Sequence, residues 1–174
     1  ERGAPIDPAH LLLADSATQA LDLALRFFVK PGDGVVIDDP RYYNLVPLAT
    51  AHRVDILTAP YTRDGPDLEA LEELFATRRP RLYLMLVGPH NPTGATLSLA
   101  VAHRVLRLAE AHDVVIVEDD VYGDFEAAPS PRLAALDGYN RVLQVGGYSK
   151  TVTAALKVAY LAGRADWIEA LLDL

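Results

Sequence analysis

Apolar residues recur along the chain in two spacings, and these spacings predict alternating helices and strands. Leu21, Leu25 and Phe28 lie three or four positions apart, which is the spacing of one helix face. The unbroken apolar run 82–87 is instead typical of a strand that a parallel sheet buries on both faces. These patterns predict helices over 16–29, 42–52, 68–77, 99–112 and from 167 onward, strands over 35–37, 53–59, 82–87, 114–117, 141–145 and 157–162, and an extended segment over 5–14.

Turn-forming residues separate these elements, and the order of the elements predicts the fold class. Pro31, Gly32 and Asp33 end the first helix, and a loop of Asn91, Pro92, Thr93 and Gly94 follows a buried strand. Strands that alternate with helices at this spacing form βαβ units. We therefore predict an α/β fold with three layers, α/β/α, around a mostly parallel sheet.

Composition and charge narrow the class of protein further. The chain has 174 residues, enough for one domain with a sizeable core. It contains no cysteine, which excludes disulfides and thiolate metal sites, and we expect no metal. The net charge of −8 argues against a nucleic-acid surface on this segment, and no apolar stretch reaches membrane-spanning length. The first residues lack the pattern of a signal peptide. The absence of cysteine fits a cytoplasmic protein, which we expect.

Polar side chains follow several of the predicted strands, where open α/β sheets bind their ligands. These strand-end groups are 39–42, 91–94, 119–122 and 149–150. Lys150 comes after an apolar strand and the glycines Gly146 and Gly147, which allow a tight turn. The amine of a desolvated lysine is a nucleophile toward carbonyl groups and forms Schiff bases. Alternatively, Lys150 is a solvated loop residue.

A cofactor aldehyde bound to Lys150 would require partners of defined chemical types. A carboxylate at Asp119 would keep a proton on a pyridine nitrogen, which makes the ring an electron sink. The hydroxyl of Tyr122 and the amide of Asn91 could contact a phenolic oxygen of the ring, and Tyr42 could stack on its face. Each residue also has a structural interpretation, as a turn, a solvated charge or a packing group.

A phosphate group on such a cofactor would favour a helix N-terminus, where N–H groups and the helix dipole attract anions. Ser16, Ala17 and Thr18 begin the first predicted helix and add two hydroxyls. Lys157 follows Lys150 by seven residues and could supply a second cation. Ser16 and Thr18 could equally act only as helix caps.

Three motifs in this order resemble the class I/II aminotransferase group of fold-type I pyridoxal-phosphate enzymes. They are Asn91-Pro92-Thr93-Gly94, Asp119-Asp120-Val121-Tyr122 and Ser149-Lys150-Thr151. The segments around them are also similar to the aminotransferase-like domains of GntR/MocR-type transcription regulators; these are Pro31-Gly32-Asp33, Asp39-Pro40-Arg41-Tyr42, residues 118–124 and residues 166–171.

The resemblance implies a role for each candidate residue and pyridoxal 5'-phosphate as the cofactor. It implies that Lys150 forms the internal aldimine, that Asp119 pairs with the pyridine nitrogen, and that Asn91 and Tyr122 bind the ring oxygen. It also implies that Tyr42 stacks on the ring, that Ser16, Ala17 and Thr18 hold the phosphate, and that Ser149 belongs to the cofactor site. Lys157 stands where the family usually has arginine, Gly147 where it commonly has serine or threonine, and Ala159 where it usually has glycine. These departures predict weaker phosphate binding, because lysine lacks the bidentate fork of arginine.

The resemblance also implies a domain organisation and two alternative functions. Residues 1–174 correspond to the cofactor-binding large domain, and we expect a fragment without the C-terminal small domain and without the N-terminal arm or DNA-binding domain. One function is an aminotransferase that acts on an amino acid and a 2-oxo acid. The alternative is a domain of a transcription regulator that senses the cofactor and an amine, with nucleic acid bound only through a segment absent here. Either protein would form a homodimer when full length.

Overall fold

A mixed sheet runs through the middle of the computed structural model, which describes residues 7–174. Its strands are β1 (Leu11–Ala14), β2 (Gly34–Asp39), β3 (Asp55–Thr62), β4 (Gly65–Pro66), β5 (Leu82–Leu86), β6 (Val115–Asp119), β7 (Val142–Gly147) and β8 (Ala159–Ala162). Their order across the sheet is β1-β8-β7-β6-β5-β2-β3-β4. The five central strands are parallel, while β1, β8 and β4 pair antiparallel with their neighbours. The predicted mostly parallel sheet is confirmed, and its antiparallel edges are additional to the prediction.

Helices cover both faces of the sheet and give the predicted three layers. They are α1 (Ala17–Phe28), α2 (Leu45–Ala51), α3 (Leu68–Arg78), α4 (Leu99–Ala111), α5 (Leu133–Asp137) and α6 (Ala165–Leu171). One apolar cluster joins α1, α2 and α6 to the sheet, and a second joins α3, α4 and α5 to the opposite face. Within residues 7–174, the structure contains no helix with both the length and the apolar character needed to cross a membrane.

The alternation of side chains along each strand explains why the central strands are apolar throughout. In β5, Leu82, Leu84 and Leu86 pack on the α1 side, whereas Tyr83 and Met85 pack on the α4 side. Both sets are buried, because successive side chains of a strand point to opposite faces and both faces carry helices. The same alternation places residues 115 and 117 of β6 on the α1 side, so the strand-end residue at 119 follows them onto that side.

Two element boundaries differ from the sequence-based expectation in ways that affect the site. The predicted helix over 42–52 begins at Leu45, and Tyr42 lies in the turn before it. Proline is tolerated only in the first turn of a helix, and Pro47 is the third residue of α2. The predicted strand over 157–162 begins at Ala159, because Lys157 has left-handed backbone angles, φ 48° and ψ 52°.

The chain before β1 was predicted to be extended over 5–14. Residues 5 and 6 lie outside the described residues. Pro8–His10 form a 3₁₀ turn, which interrupts the segment between Asp7, whose backbone is extended, and β1. The prediction is wrong for this turn, which the Asp7 side chain caps by accepting a hydrogen bond from Ala9 N at 2.9 Å.

Candidate functional site

A cavity opens at the carboxyl ends of β5, β6 and β7 and contains about 680 Å³ of empty space, including its open mouth. Leu86, Asp119 and Gly147, the last residues of these three strands, contribute to its wall. The complete lining is Ser16, Ala17, Thr18, Leu21, Tyr42, Leu86, Asp119, Val121, Tyr122, Gly147, Ser149 and Lys150. The fold therefore brings eight of the ten sequence-predicted site residues to one cavity, and Asn91 and Lys157 are not among its lining residues.

The N-terminus of α1 forms one wall of this cavity. Ser16 is the N-cap, and its hydroxyl accepts a hydrogen bond from Gln19 N at 3.1 Å. The Gln19 side chain reaches back past the N-cap and accepts a hydrogen bond from Asp15 N at 2.6 Å, which fixes the chain at the start of the helix. The first backbone N–H groups of a helix have no partner within the helix. Ala17 and Thr18 therefore offer anion-binding donors at the cavity, with the positive end of the helix dipole behind them.

Asp119 is the buried acid of the cavity. Burial raises the pKa of its carboxyl to about 7; among the smaller influences, a hydrogen bond from Val121 N lowers this pKa, the charge of Asp120 raises it, and the charge of Lys150 lowers it. Within the part of the chain that the structure describes, Val121 N at 3.2 Å is its only hydrogen-bond donor. A carboxylate buried with so little compensation favours a cationic N–H partner in the cavity.

The two neighbours of Asp119 lie on the opposite face of the sheet, where protein groups compensate them. Glu118 accepts hydrogen bonds from Leu133 N at 2.6 Å and Ala134 N at 3.1 Å, at the start of α5. Asp120 forms an ion pair with Arg132, with 2.9 Å between Oδ1 and Nε. Asp119 thus faces the cavity, whereas Asp120 faces Arg132 on the other side of the sheet.

Asn91 lies beside the cavity through its contact with Tyr122. Its Nδ2 atom donates a long hydrogen bond of 3.4 Å to the Tyr122 hydroxyl. The two loops that carry these residues meet at glycines: a Cβ on Gly88, which has φ +76°, would lie 3.1 Å from the Gly123 Cα. The close approach therefore depends on the absence of a side chain at Gly88. An amide and a phenol converge at one point of the rim.

Tyr42 contributes an aromatic ring to the cavity wall. Its hydroxyl accepts a hydrogen bond from Asn44 Nδ2 at 2.7 Å, and its ring contacts Tyr43 edge to face at 4.9 Å between centroids. Burial is the main cause that raises the pKa of the Tyr42 phenol, so the phenol stays neutral near pH 7. A neutral, half-buried ring at the cavity wall is available for stacking.

Lys150 and Ser149 line the cavity from the turn that follows β7, whereas Lys157 is set apart from it. Lys150 is exposed at the mouth of the cavity, so the desolvation that would make its amine a better nucleophile is not observed. Lys157 is also exposed, and it ends the 3₁₀ turn Ala154–Leu156. Tyr148 N donates to Val158 O at 3.1 Å, which ties the residue after Lys157 to the turn that carries Lys150.

Sequence reasoning missed several residues around the site. Leu21, Leu86 and Val121 complete the apolar part of the wall. The apolar alternation in β5 could have identified Leu86, because it shares a face with residues 82 and 84. Arg132 is buried and pairs with Asp120 and Glu126, and no pattern along the chain distinguishes it from a surface arginine.

Comparison with known proteins identifies the class to which this arrangement belongs. The family model for aminotransferase class I and II matches residues 1–174. The chain therefore belongs to the class I and II aminotransferase family.

Individual relatives include both enzymes and regulators. A 2-aminoadipate transaminase of Thermus thermophilus is 31% identical over 173 residues, which cover 97% of this chain and 44% of the relative. An uncharacterized HTH-type transcriptional regulator of Escherichia coli K12, YjiR, is 30% identical over 165 residues, covering 93% of this chain and 35% of the regulator. This chain thus spans less than half the length of either relative.

A solved structure of the family has the same fold. The α-aminoadipate aminotransferase LysN of Thermus thermophilus, in complex with N-(5'-phosphopyridoxyl)-L-leucine, superimposes with a TM-score of 0.89 at 32% identity. The match covers 95% of this chain and 44% of that one. It confirms the predicted α/β fold.

Replacement of Asp119 tests the cost of burying its charge. Its pKa is about 7 in the folded state and 3.8 in the reference state, so the folded state binds more protons between these values. Stability from this group is present at low pH and is lost as the pH rises toward 7. Asp119→Asn, in cofactor-free protein, should raise the free energy of unfolding at pH 8 by about 1–4 kcal/mol, at about 1.4 kcal/mol per pKa unit, and change it little at pH 4.

Urea unfolding at the two pH values measures this difference. Asp64→Asn is the control, because Asp64 is an exposed turn residue. Glu118, whose pKa burial also raises to about 7, is present in both proteins and cancels in the comparison. If the Asp119→Asn protein were no more stable than the parent at pH 8, the assignment of an uncompensated buried charge to Asp119 would be contradicted.

Proposed function

We propose that this chain is the cofactor-binding domain of a pyridoxal-phosphate-dependent aminotransferase, which exchanges an amino group between an amino acid and a 2-oxo acid. The observation that carries the proposal is the shared cavity: the amine of Lys150, the buried carboxyl of Asp119 and the N-terminus of α1 all line it. The donor set suits a group with an aldehyde, a basic ring nitrogen and a phosphate. Membership of the family and the names of the enzyme relatives support the same conclusion.

The residues of the ring site have complementary tasks in this proposal. The amine of Lys150 would hold the aldehyde of the cofactor, and the carboxylate of Asp119 would accept a hydrogen bond from a ring N–H. Tyr42 would offer its ring for stacking, and Asn91 and Tyr122 would offer hydrogen-bond donors to the ring oxygen. When bound, pyridoxal 5'-phosphate supplies an electron sink that acidifies the α-carbon of an amino acid.

Proton transfer is the second task of Lys150. In its unprotonated form the Lys150 Nζ could take a proton from a substrate α-carbon as a base and later return a proton as an acid. The carboxylate of Asp119 would favour a protonated ring nitrogen on the bound cofactor. Its own burial raises its pKa, so a cationic N–H is the partner that restores its charged form.

The phosphate would be held at the N-terminus of α1. Backbone N–H groups of Ala17 and Thr18 and the hydroxyls of Ser16, Thr18 and Ser149 are the donors available there. Lys157 remains our candidate for an additional cation. Lys157 directly precedes Val158, whose carbonyl oxygen accepts a hydrogen bond from Tyr148 N, so it lies near the turn that carries Lys150. Its flexible four-carbon side chain could extend from there to the phosphate.

A regulator is the second candidate function, and the relationship to HTH-type regulators favours it. In that case the same residues bind the cofactor and an amine, and binding shifts a conformational equilibrium. Under either function, the full-length protein is proposed to contain further segments, since this chain spans less than half the length of the enzyme and regulator relatives described above. A homodimer and a cytoplasmic location belong to the same proposal.

Covalent labelling tests the role of Lys150. The sequence contains three lysines, Lys30, Lys150 and Lys157, so the result is unambiguous for this part of the protein. Full-length protein incubated with pyridoxal 5'-phosphate, reduced with borohydride and digested should carry the label on Lys150. Lys30, an exposed residue after α1, serves as the internal control for non-specific reaction. A label mainly on Lys30 or Lys157, or none, would reject the proposed site.

Amino-group exchange distinguishes an enzyme from a regulator. Full-length protein supplied with an amino acid donor and a 2-oxo acid should form the new amino acid over many turnovers. Asp119→Asn should lower the rate by about two orders of magnitude or more, the scale expected for loss of a group that stabilises developing charge. Asp120→Asn is the matched neighbour on the opposite face and should retain more activity. Binding of an amine without turnover would favour the regulator.

Replacement of Lys157 tests the proposed second cation. Lys157→Ala should weaken binding of pyridoxal 5'-phosphate, and Lys157→Arg should tighten it by about 1 kcal/mol, the usual gain from one charge-assisted hydrogen bond. Titration at fixed salt measures both, with Lys30→Ala as the charge-matched control. A dissociation constant that Lys157→Ala leaves unchanged would show that Lys157 does not contact the phosphate.

A further inference from the structure

A buried polar cluster lies behind the cavity, on the α4 side of the sheet. Asp38, near the end of β2, is fully buried. Its Oδ1 accepts a hydrogen bond from the Tyr83 hydroxyl at 2.5 Å, and its Oδ2 accepts from Leu86 N at 3.2 Å. Burial raises the pKa of the Asp38 carboxyl, and its contacts with His90, Tyr83 and Leu86 lower it. Because burying a carboxyl group costs free energy, the buried Asp38 depends on these partners to satisfy its oxygen atoms.

His90 connects this cluster to the loop that carries Asn91. Its ring is buried, with Nε2 3.5 Å from Asp38 Oδ2 and Nδ1 2.9 Å from the Thr93 hydroxyl. The ring of Tyr61 stacks on it with centroids 3.9 Å apart and planes 16° apart. The His90 ring therefore lies between Asp38, the next-to-last residue of β2, and Thr93 in the turn that carries Asn91. Its contact with Thr93 is a hydrogen bond, and its contact with Asp38 is a close approach without hydrogen-bond geometry.

The backbone of the same turn closes around His90. His90 N donates to Ala95 O at 2.9 Å, and His90 O accepts from Gly94 N at 2.6 Å. Asn91 is enclosed in this ring of contacts, and its side chain extends to the Tyr122 hydroxyl on the cavity rim. A shift of His90 would be transmitted to Asn91 through a single peptide unit.

We infer that His90 and Asp38 are positioning residues, which hold the amide of Asn91 where it meets Tyr122 at the cofactor cavity. Neither residue lines the cavity, so they act through Asn91 and contact no ligand themselves. The inference rests on the proposed function, because the position of Asn91 matters for binding only if the cavity holds the cofactor. A positioning role can be told from a packing role, because the effect of replacing His90 on cofactor binding should then disappear in a protein that lacks the Asn91 amide.

A double-mutant cycle in the full-length protein separates these two roles. His90→Phe keeps an aromatic ring against Tyr61 and removes both nitrogen atoms, and Asn91→Ala removes the amide. Binding of pyridoxal 5'-phosphate to cofactor-free protein is measured by equilibrium dialysis, which does not depend on the spectrum of the bound form. Urea unfolding of the same proteins reports stability separately.

The expected result is a strong dependence of one mutation on the other. His90→Phe should weaken binding about fivefold or more when Asn91 is present and less than about twofold when it is replaced, in line with coupling between contacting residues. Asp38→Asn should show the same dependence. His112→Phe is the control: His112 is a half-buried histidine at the end of α4 whose ring contacts Phe75, and it should leave binding unchanged.

Thr93→Val gives a second route to the same answer if His90→Phe fails to fold. Thr93 is exposed, so this variant should fold. The Thr93 hydroxyl is the group in the loop that bonds to the His90 ring, so its loss should show the same coupling to Asn91. Equal effects of these variants with and without Asn91, in a protein that is labelled at Lys150, would overturn the inference and leave the proposed function intact. Absence of labelling at Lys150 would reject the proposed function itself.

Discussion

The cost of removing carboxylates from water governs the structure around the end of β6. Glu118, Asp119 and Asp120 are consecutive and all buried. Backbone N–H groups at the start of α5 compensate the first, and the guanidinium of Arg132 compensates the third. Of these three, only the middle one lines the cavity. The loop from β6 to α5 therefore folds back so that protein groups bond to the two outer carboxylates, while the carboxyl of Asp119 faces the cavity.

The two faces of the sheet accordingly carry different kinds of polar group. The α1 face carries the groups that can contact a small molecule, and the opposite face carries the ion pairs and hydrogen bonds that fix the strand ends. Asp38 and Arg132 both belong to the opposite face, and each helps to anchor a loop that contributes to the cavity rim. Because successive side chains of a strand point to opposite faces of the sheet, residues 118 and 119, although adjacent, lie on opposite faces.

The sequence predicted the elements and the shared cavity well, because both depend on local patterns. Apolar periodicity located the helices and central strands, and the turn after each strand marked where side chains would converge. Tyr42 reached the cavity although its predicted helix begins later, because the presence of Pro47 shifts only the boundary. The left-handed backbone of Lys157 could not be predicted from the sequence, since it depends on how the 3₁₀ turn packs. Contacts between distant segments, such as the cluster of Asp38, Tyr83 and His90, could not be predicted either, because each residue alone has an ordinary interpretation.

The contact between Gly88 and Gly123 has a consequence for how the family fold can vary in this chain. Two loops, each with one residue at the cavity rim, approach so closely that a single added methyl group would lie 3.1 Å from the other backbone. The positive φ of Gly88, 76°, adds a second restriction at this position. A side chain at position 88 would therefore require the backbone of the second loop to move away, and with it the loop that carries Tyr122.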